Sequence, residues 1–121
     1  MTIAVWIVSG LLTLLYLYAG SSKALLSSEK LAKNFPWTES VGVRNSRVVG
    51  ALEVIAAVGL ILPALTGILP ILSAFASVGL VLVQVGAIIT HVRRGEFKAL
   101  PMNVVLLLLA AFVAVARFLG Y

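Results

Sequence analysis

With 121 residues, 62% hydrophobic and only 11% charged, and a mean hydropathy of +1.17, the chain has too few charges to coat a water-facing surface. A spanning helix takes about 20 mostly apolar residues, so this length holds four at most and excludes an appended soluble catalytic domain. Cysteine is absent and His91 is the only histidine, which excludes disulfides, thiolate metal sites, iron–sulfur ligation and a bis-histidine haem within one chain. The formal net charge of +5 sits between apolar runs, where it reads as orientation and lipid contact rather than nucleic-acid binding.

The first apolar run starts at Ile3 and continues as helix to about Leu26. No Lys or Arg occurs from Met1 to Leu17, so it is expected to be a retained span rather than a cleaved signal peptide. Residues Ser27 to Asn45 form the one extended polar stretch, and Pro36 prevents it from being one continuous helix. A short interfacial helix is expected over 28–34, with Phe35 and Trp37 in the headgroup layer. A second span follows over about 46–63, ending at Pro63, and the uncharged segment from Pro63 to Pro70 reads as a tight turn. The third span covers about 70–91, with Pro70 suited to its first turn. Arg93, Arg94, Gly95, Glu96 and Lys98 mark a short loop, and the fourth span covers about 101–119. The expected fold is all-α: a single integral membrane domain over 1–121, built as an antiparallel four-helix bundle with short connections.

Eight basic residues (Lys23, Lys30, Lys33, Arg44, Arg47, Arg93, Arg94 and Lys98) fall on one side of these spans and only Arg117 on the other. The positive-inside rule then places both basic loops in the cytoplasm and both termini outside, in a cell inner membrane. Arg117 reads as a snorkelling anchor at the outer face. Small residues at a spacing of four, such as Ser73 and Ser77, Ala110 and Ala114, and Gly79 with Val83 and Ala87, are candidate close contacts between helices, with Gly50, Gly59 and Gly86 as further points of approach.

The polar side chains within the spans crowd towards the basic loops. Tyr16 is seven positions before Lys23 on the same face, roughly 10 Å deeper. Gln84 stands in the same relation to His91, and Asn103 opens the fourth span. Glu53 is the sharpest feature, because a carboxylate inside a span is costly and faces a partner. Lys23 on the neighbouring helix is the favoured partner; Arg47 lies on a different face of Glu53's own helix. The alternative is a protonated Glu53 bonded to Gln84, His91 or Asn103. A polar cluster of this kind also serves simply to lock the register of a bundle. Phosphate-binding glycine loops, paired metal-binding histidines and a Ser–His–Asp set are absent, since Asp does not occur. One His and four Glu do not make a closed metal site.

Ala19-Gly20-Ser21-Ser22-Lys23, Gly50-Ala51-Leu52-Glu53, Gly59-Leu60-Ile61-Leu62-Pro63, His91-Val92-Arg93-Arg94-Gly95-Glu96 and Asn103, in this order and spacing, resemble the DoxX-like family of small four-span membrane proteins. The resemblance covers nearly the whole chain and implies a four-helix transmembrane fold. The family takes its name from a subunit of a thiosulfate:quinone oxidoreductase. The resemblance therefore implies a membrane component of an oxidoreductase complex or, through more distant relatives, a chaperone-like assembly role.

Two readings follow. In the first, the chain is a small membrane subunit or binding protein. Lys23, Glu53, Gln84, His91, Asn103 and Tyr16 then surround the head of a lipid-like ligand, a quinone or isoprenoid, with no covalent cofactor. In the second, it is a structural or assembly subunit without ligand chemistry. Membrane lipids are expected partners in both, with a second copy or a partner subunit of a membrane complex. A cavity reaching Glu53 favours the first reading, and a closed cluster with every polar atom paired favours the second.

Overall fold

In a computed structural model, which describes residues 1–69 and 71–121, four long helices carry the chain: α1 (Thr2–Leu25), α4 (Val43–Thr66), α5 (Ile71–Arg93) and α6 (Leu100–Phe118). Two short helices, α2 (Ser28–Asn34) and α3 (Thr38–Val41), join α1 to α4, and a 3-10 turn over Phe97–Ala99 leads into α6. Helices of 24, 24 and 23 residues, and 22 for α6 with its leading turn, are each roughly 33–36 Å long, enough to cross a hydrocarbon core of about 30 Å. All backbone bonds lie within each helix, the cheapest arrangement where lipid offers no hydrogen-bond partners.

The helices form a ring in chain order: α1 packs on α4, α4 on α5, α5 on α6, and α6 closes back on α1. Ile3, Ile7, Leu11, Leu14, Leu15 and Tyr18 stay exposed on the outside of α1, and α4 to α6 present similar faces. An apolar exterior of this extent suits hydrocarbon, not water. Inside, Leu12, Leu60, Leu80, Ala57, Ala110 and Val113 are fully buried. One end of the bundle holds the two basic loops (the basic end), and the other holds the α4–α5 turn and both chain termini (the terminal end).

Packing between α1 and α4 is set by two glycines. A Cβ at Gly50 would lie 2.6 Å from the Gly20 carbonyl oxygen and 2.6 Å from the Lys23 Cβ; one at Gly20 would lie 2.6 Å from the Gly50 oxygen. No side chain fits there, so the two backbones touch. Two further bonds hold the same register: Thr13 Oγ1 donates to the Ala57 carbonyl at 3.2 Å, and Arg47 Nη1 donates to the Ala24 carbonyl at 2.8 Å, capping the end of α1. Between α4 and α5, a Cβ at Gly59 would meet the Ala76 Cβ at 3.0 Å. Gly79 and Gly86 differ from expectation: a Cβ on either meets nothing within 4 Å. Helix rotation turns them away from the neighbouring helices, and spacing alone does not report rotation.

Three local features depart from the sequence reading. Helix α4 starts at Val43, earlier than 46, and runs through Pro63 to Thr66 instead of ending at the proline. Pro63 removes one N–H from the ladder, but abandoning the helix in lipid would orphan more groups. The helix ends at Gly67, whose left-handed φ of 74° suits a glycine and whose N–H bonds the Pro63 carbonyl at 3.0 Å. The expected role of Pro70 falls outside the described residues. Helix α2 forms as expected, its first turn capped by Ser27 Oγ, but a further one-turn helix, α3, follows Pro36. This connection tucks against the basic end: Leu31 is fully buried, Thr38 nearly so, and Ser46 Oγ donates to Thr38 Oγ1 at 3.2 Å.

The glycine contact yields a direct prediction. Gly50→Ala will destabilise the protein in detergent by about 1–3 kcal/mol, as overpacking does, whereas Gly86→Ala will leave thermal unfolding unchanged. Equal unfolding midpoints for the two variants would show that the α1–α4 contact is not tight.

Candidate functional site

One helical turn beyond each glycine of the contact lies a charged residue: Lys23 on α1 and Glu53 on α4. Because the backbones touch at Gly20 and Gly50, the lysine stem lies along α4 and turns into the bundle. Lys23 Nζ meets Glu53 Oε1 at 2.6 Å. The glutamate side chain is 1% exposed and the lysine 13%. On its other side the ammonium faces two rings, 5.4 Å from the Phe35 centroid and 5.8 Å from that of Trp37, and the rings themselves pack at 6.0 Å. Phe35 and Trp37, expected only to sit among headgroups, cover the ion pair. Cation–π attraction strengthens when the cation is desolvated, as it is here.

A second polar pair crosses the ring. Gln84 Nε2 of α5 donates to the Tyr16 hydroxyl of α1 at 2.5 Å, and both residues are buried. In the half of the bundle nearer the basic loops, two polar atoms stay without partners among the described residues: Gln84 Oε1 and Asn103 Nδ2. Buried unpaired amide atoms are uncommon and costly, and they point to a group that would pair them.

Of the six residues singled out in the sequence, Lys23 and Glu53 pair, as do Tyr16 and Gln84, and Asn103 is a half-buried residue at the start of α6. His91 is placed differently: its Nδ1 lies 3.1 Å from Glu96 Oε1, across the turn made by Gly95. The alternative bonding of Glu53 to Gln84, His91 or Asn103 does not form, and Glu53 shares no contact with His91 through which to pass a proton.

Sequence reasoning missed the network around Arg94. Its Nε bonds Glu96 Oε1 at 3.1 Å, its Nη1 donates to Ser40 Oγ at 2.6 Å, and its Nη2 lies 3.8 Å from the exposed Glu39. This ties the α2–α3 connection to the end of α5, so both basic loops close one face together. The signal in the sequence was faint: Ser40 and Arg94 are 54 positions apart. Among the described residues no three His, Cys, Asp or Glu side chains gather as a metal site.

Glu53 is buried and Lys23 mostly so, which makes the pair a clasp between α1 and α4 rather than an exposed acid or base. Removing one partner of a buried pair leaves an uncompensated charge, while replacing both by apolar groups is often nearly neutral. Glu53→Leu or Lys23→Met alone will therefore cost about 3–5 kcal/mol of stability in detergent, and the double variant will recover most of that loss. Thermal unfolding of the four proteins checks this; strictly additive losses would count against a clasp.

A model of the DoxX-like family matches residues 7–113, which include all six residues and most of each long helix. No curated protein and no solved structure matches the chain. The four apolar spans, their packing and the family match agree: the chain is an integral membrane protein and belongs to the DoxX-like family.

Proposed function

We propose that the protein is a small membrane-embedded binding subunit that holds the polar head of a lipid-like molecule, a quinone or isoprenoid, in the half of the bundle nearer the basic loops. The observation that carries this reading is the presence of two buried unpartnered amide atoms among the described residues, Gln84 Oε1, on the side chain bonded to the Tyr16 hydroxyl, and Asn103 Nδ2 at the start of α6. An amide N–H of Asn103 suits a quinone carbonyl, and Gln84 Oε1 suits a hydroxyl. The Lys23–Glu53 pair shapes the site by fixing α1 against α4, with Phe35 and Trp37 lying over Lys23. The basic loops face the cytoplasm of a cell inner membrane, with both termini outside, in keeping with the distribution of Lys and Arg. A second copy or a partner subunit completes the assembly in the bilayer.

A structural or assembly role without ligand is the second reading, favoured by one observation: Glu53 is sealed and its charge matched. Native mass spectrometry separates the two. Purified protein mixed with a short-chain ubiquinone or with farnesol will retain one molecule per chain, and Gln84→Leu with Asn103→Leu will reduce retention about tenfold while the fold persists. Equal retention by the wild-type and double-variant proteins, or none by either, would favour the structural role.

A further inference from the structure

The eight basic residues of the basic end divide by what they touch. Three are engaged within the fold: Lys23 by Glu53, Arg94 by Glu96 and Ser40, and Arg47 by the Ala24 carbonyl. The other five, Lys30, Lys33, Arg44, Arg93 and Lys98, are exposed, and among the described residues their side chains form no ion pair and no hydrogen bond. The anions do not balance them. Glu53, Glu96 and Glu39 face Lys23, His91 and Arg94, and Glu29 lies in the first turn of α2, where it complements the helix dipole.

The free cations lie around the rim of the basic end rather than on one patch. Lys30 and Lys33 are on α2, which follows α1; Arg44 is the second residue of α4, Arg93 is the last of α5, and Lys98 is in the turn before α6. On α2 the buried Leu31 takes the face turned to the bundle. Arg44 stands one turn before the exposed Val48 and two before the exposed Leu52, on one face of α4. Arg93 stands one turn beyond the exposed Ile89 and two beyond the exposed Val85, on one face of α5. Lys98 lies between the exposed Phe97 and Met102. Arg44 and Arg93 thus crown apolar faces that hydrocarbon covers, and Lys98 adjoins one. Helices of this length slightly overrun a hydrocarbon core, so long side chains at their ends reach the headgroup layer. Arg44 and Lys98 also sit at helix starts, where the dipole is positive and the first turn holds no acidic residue, so the fold itself offers them no relief. A partner that meets these cations carries negative charge at headgroup depth with apolar chains beneath it, which a polymer dissolved in water does not.

We propose that Lys30, Lys33, Arg44, Arg93 and Lys98 form a collar that binds the phosphate heads of anionic phospholipids around the basic end of the bundle. The attraction is electrostatic and shared among several heads, so it selects lipid charge rather than one lipid structure. The collar is independent of the site near Gln84 and Asn103, and neither proposal requires the other.

The test uses the full-length protein in a neutral detergent, probed by native mass spectrometry with equal amounts of dioleoylphosphatidylglycerol and dioleoylphosphatidylcholine. The wild type is expected to retain the anionic lipid in preference, and added salt to weaken that preference. Changing any one of the five to Gln should lower the preference about threefold, and changing all five should abolish it, with thermal unfolding unchanged because none of the five has a partner in the fold to lose. Should the fivefold variant not fold, Lys30→Gln with Lys33→Gln carries the test on the short helix α2. Arg117→Gln, which removes the same charge at the terminal end, should leave the preference within about twofold of the wild type. Equal retention of the two lipids by the wild type overturns the proposal, as does a loss in Arg117→Gln as large as in the five. Tighter binding of an oligothymidylate than of the anionic lipid also overturns it, by assigning the cations to nucleic acid.

Discussion

The contact between Gly20 and Gly50 is the constraint on which the rest of the bundle depends. In lipid, helices gain nothing by hiding apolar surface from one another, because the surrounding chains are equally apolar. Close packing has to supply the attraction, and it needs backbones that touch. With a Cβ from either helix barred by a carbonyl 2.6 Å away, α1 and α4 have one register at this point. From that register follow the Thr13–Ala57 and Arg47–Ala24 bonds and the meeting of Lys23 with Glu53. A slip by one turn, about 5.4 Å, would leave a bare carboxylate inside the membrane. Packing and charge therefore select the same register, each penalising what the other already excludes.

Charges are few in this chain, and their treatment differs between the ends of the bundle. At the basic end, Lys23 is neutralised by Glu53 and covered by Phe35 and Trp37, and Arg94 is shared among Glu96, Ser40 and Glu39. Each of these partners except Glu53 lies in a loop or short helix, so the loops act as part of the packed structure. The α2–α3 connection is held from above by Arg94 and from within by the buried Leu31. A buried ion pair adds little net stability over an apolar pair of similar size. Its value here is in specifying which helix faces belong together.

Apolarity is the strongest signal in a sequence of this kind, and it made the four spans and their antiparallel order legible. The Lys23–Glu53 pair was also legible, because a carboxylate in a span must find a partner and only a neighbouring helix offered one on a suitable face. What stayed hidden depends on rotation and tertiary contact. Gly79 and Gly86 look the same in sequence as Gly20 and Gly50, yet only the latter two face a neighbour. Pro63 reads as a helix end under rules drawn from water, where a freed carbonyl costs little. In lipid the remaining ladder is worth keeping, and Gly67 ends the helix instead. Phe35 and Trp37 have the composition of an interfacial belt, and their place over Lys23 follows from how α3 folds back after Pro36. His91 was grouped with Glu53 by depth alone, but the turn at Gly95 brings a nearer carboxylate to it.

The buried polar atoms left without partners among the described residues divide into two groups, with an apolar layer between them. Gln84 and Asn103 belong to the basic end; Ser9, Ser73 and Arg117 belong to the terminal end. Leu12, Leu60, Leu80 and Val113, all fully buried, fill the interior between the two groups. Water does not form a file through a packed layer of leucine and valine, and no helix in the described residues breaks at mid-membrane to open one. The described interior therefore holds two groups of polar side chains separated by an apolar layer.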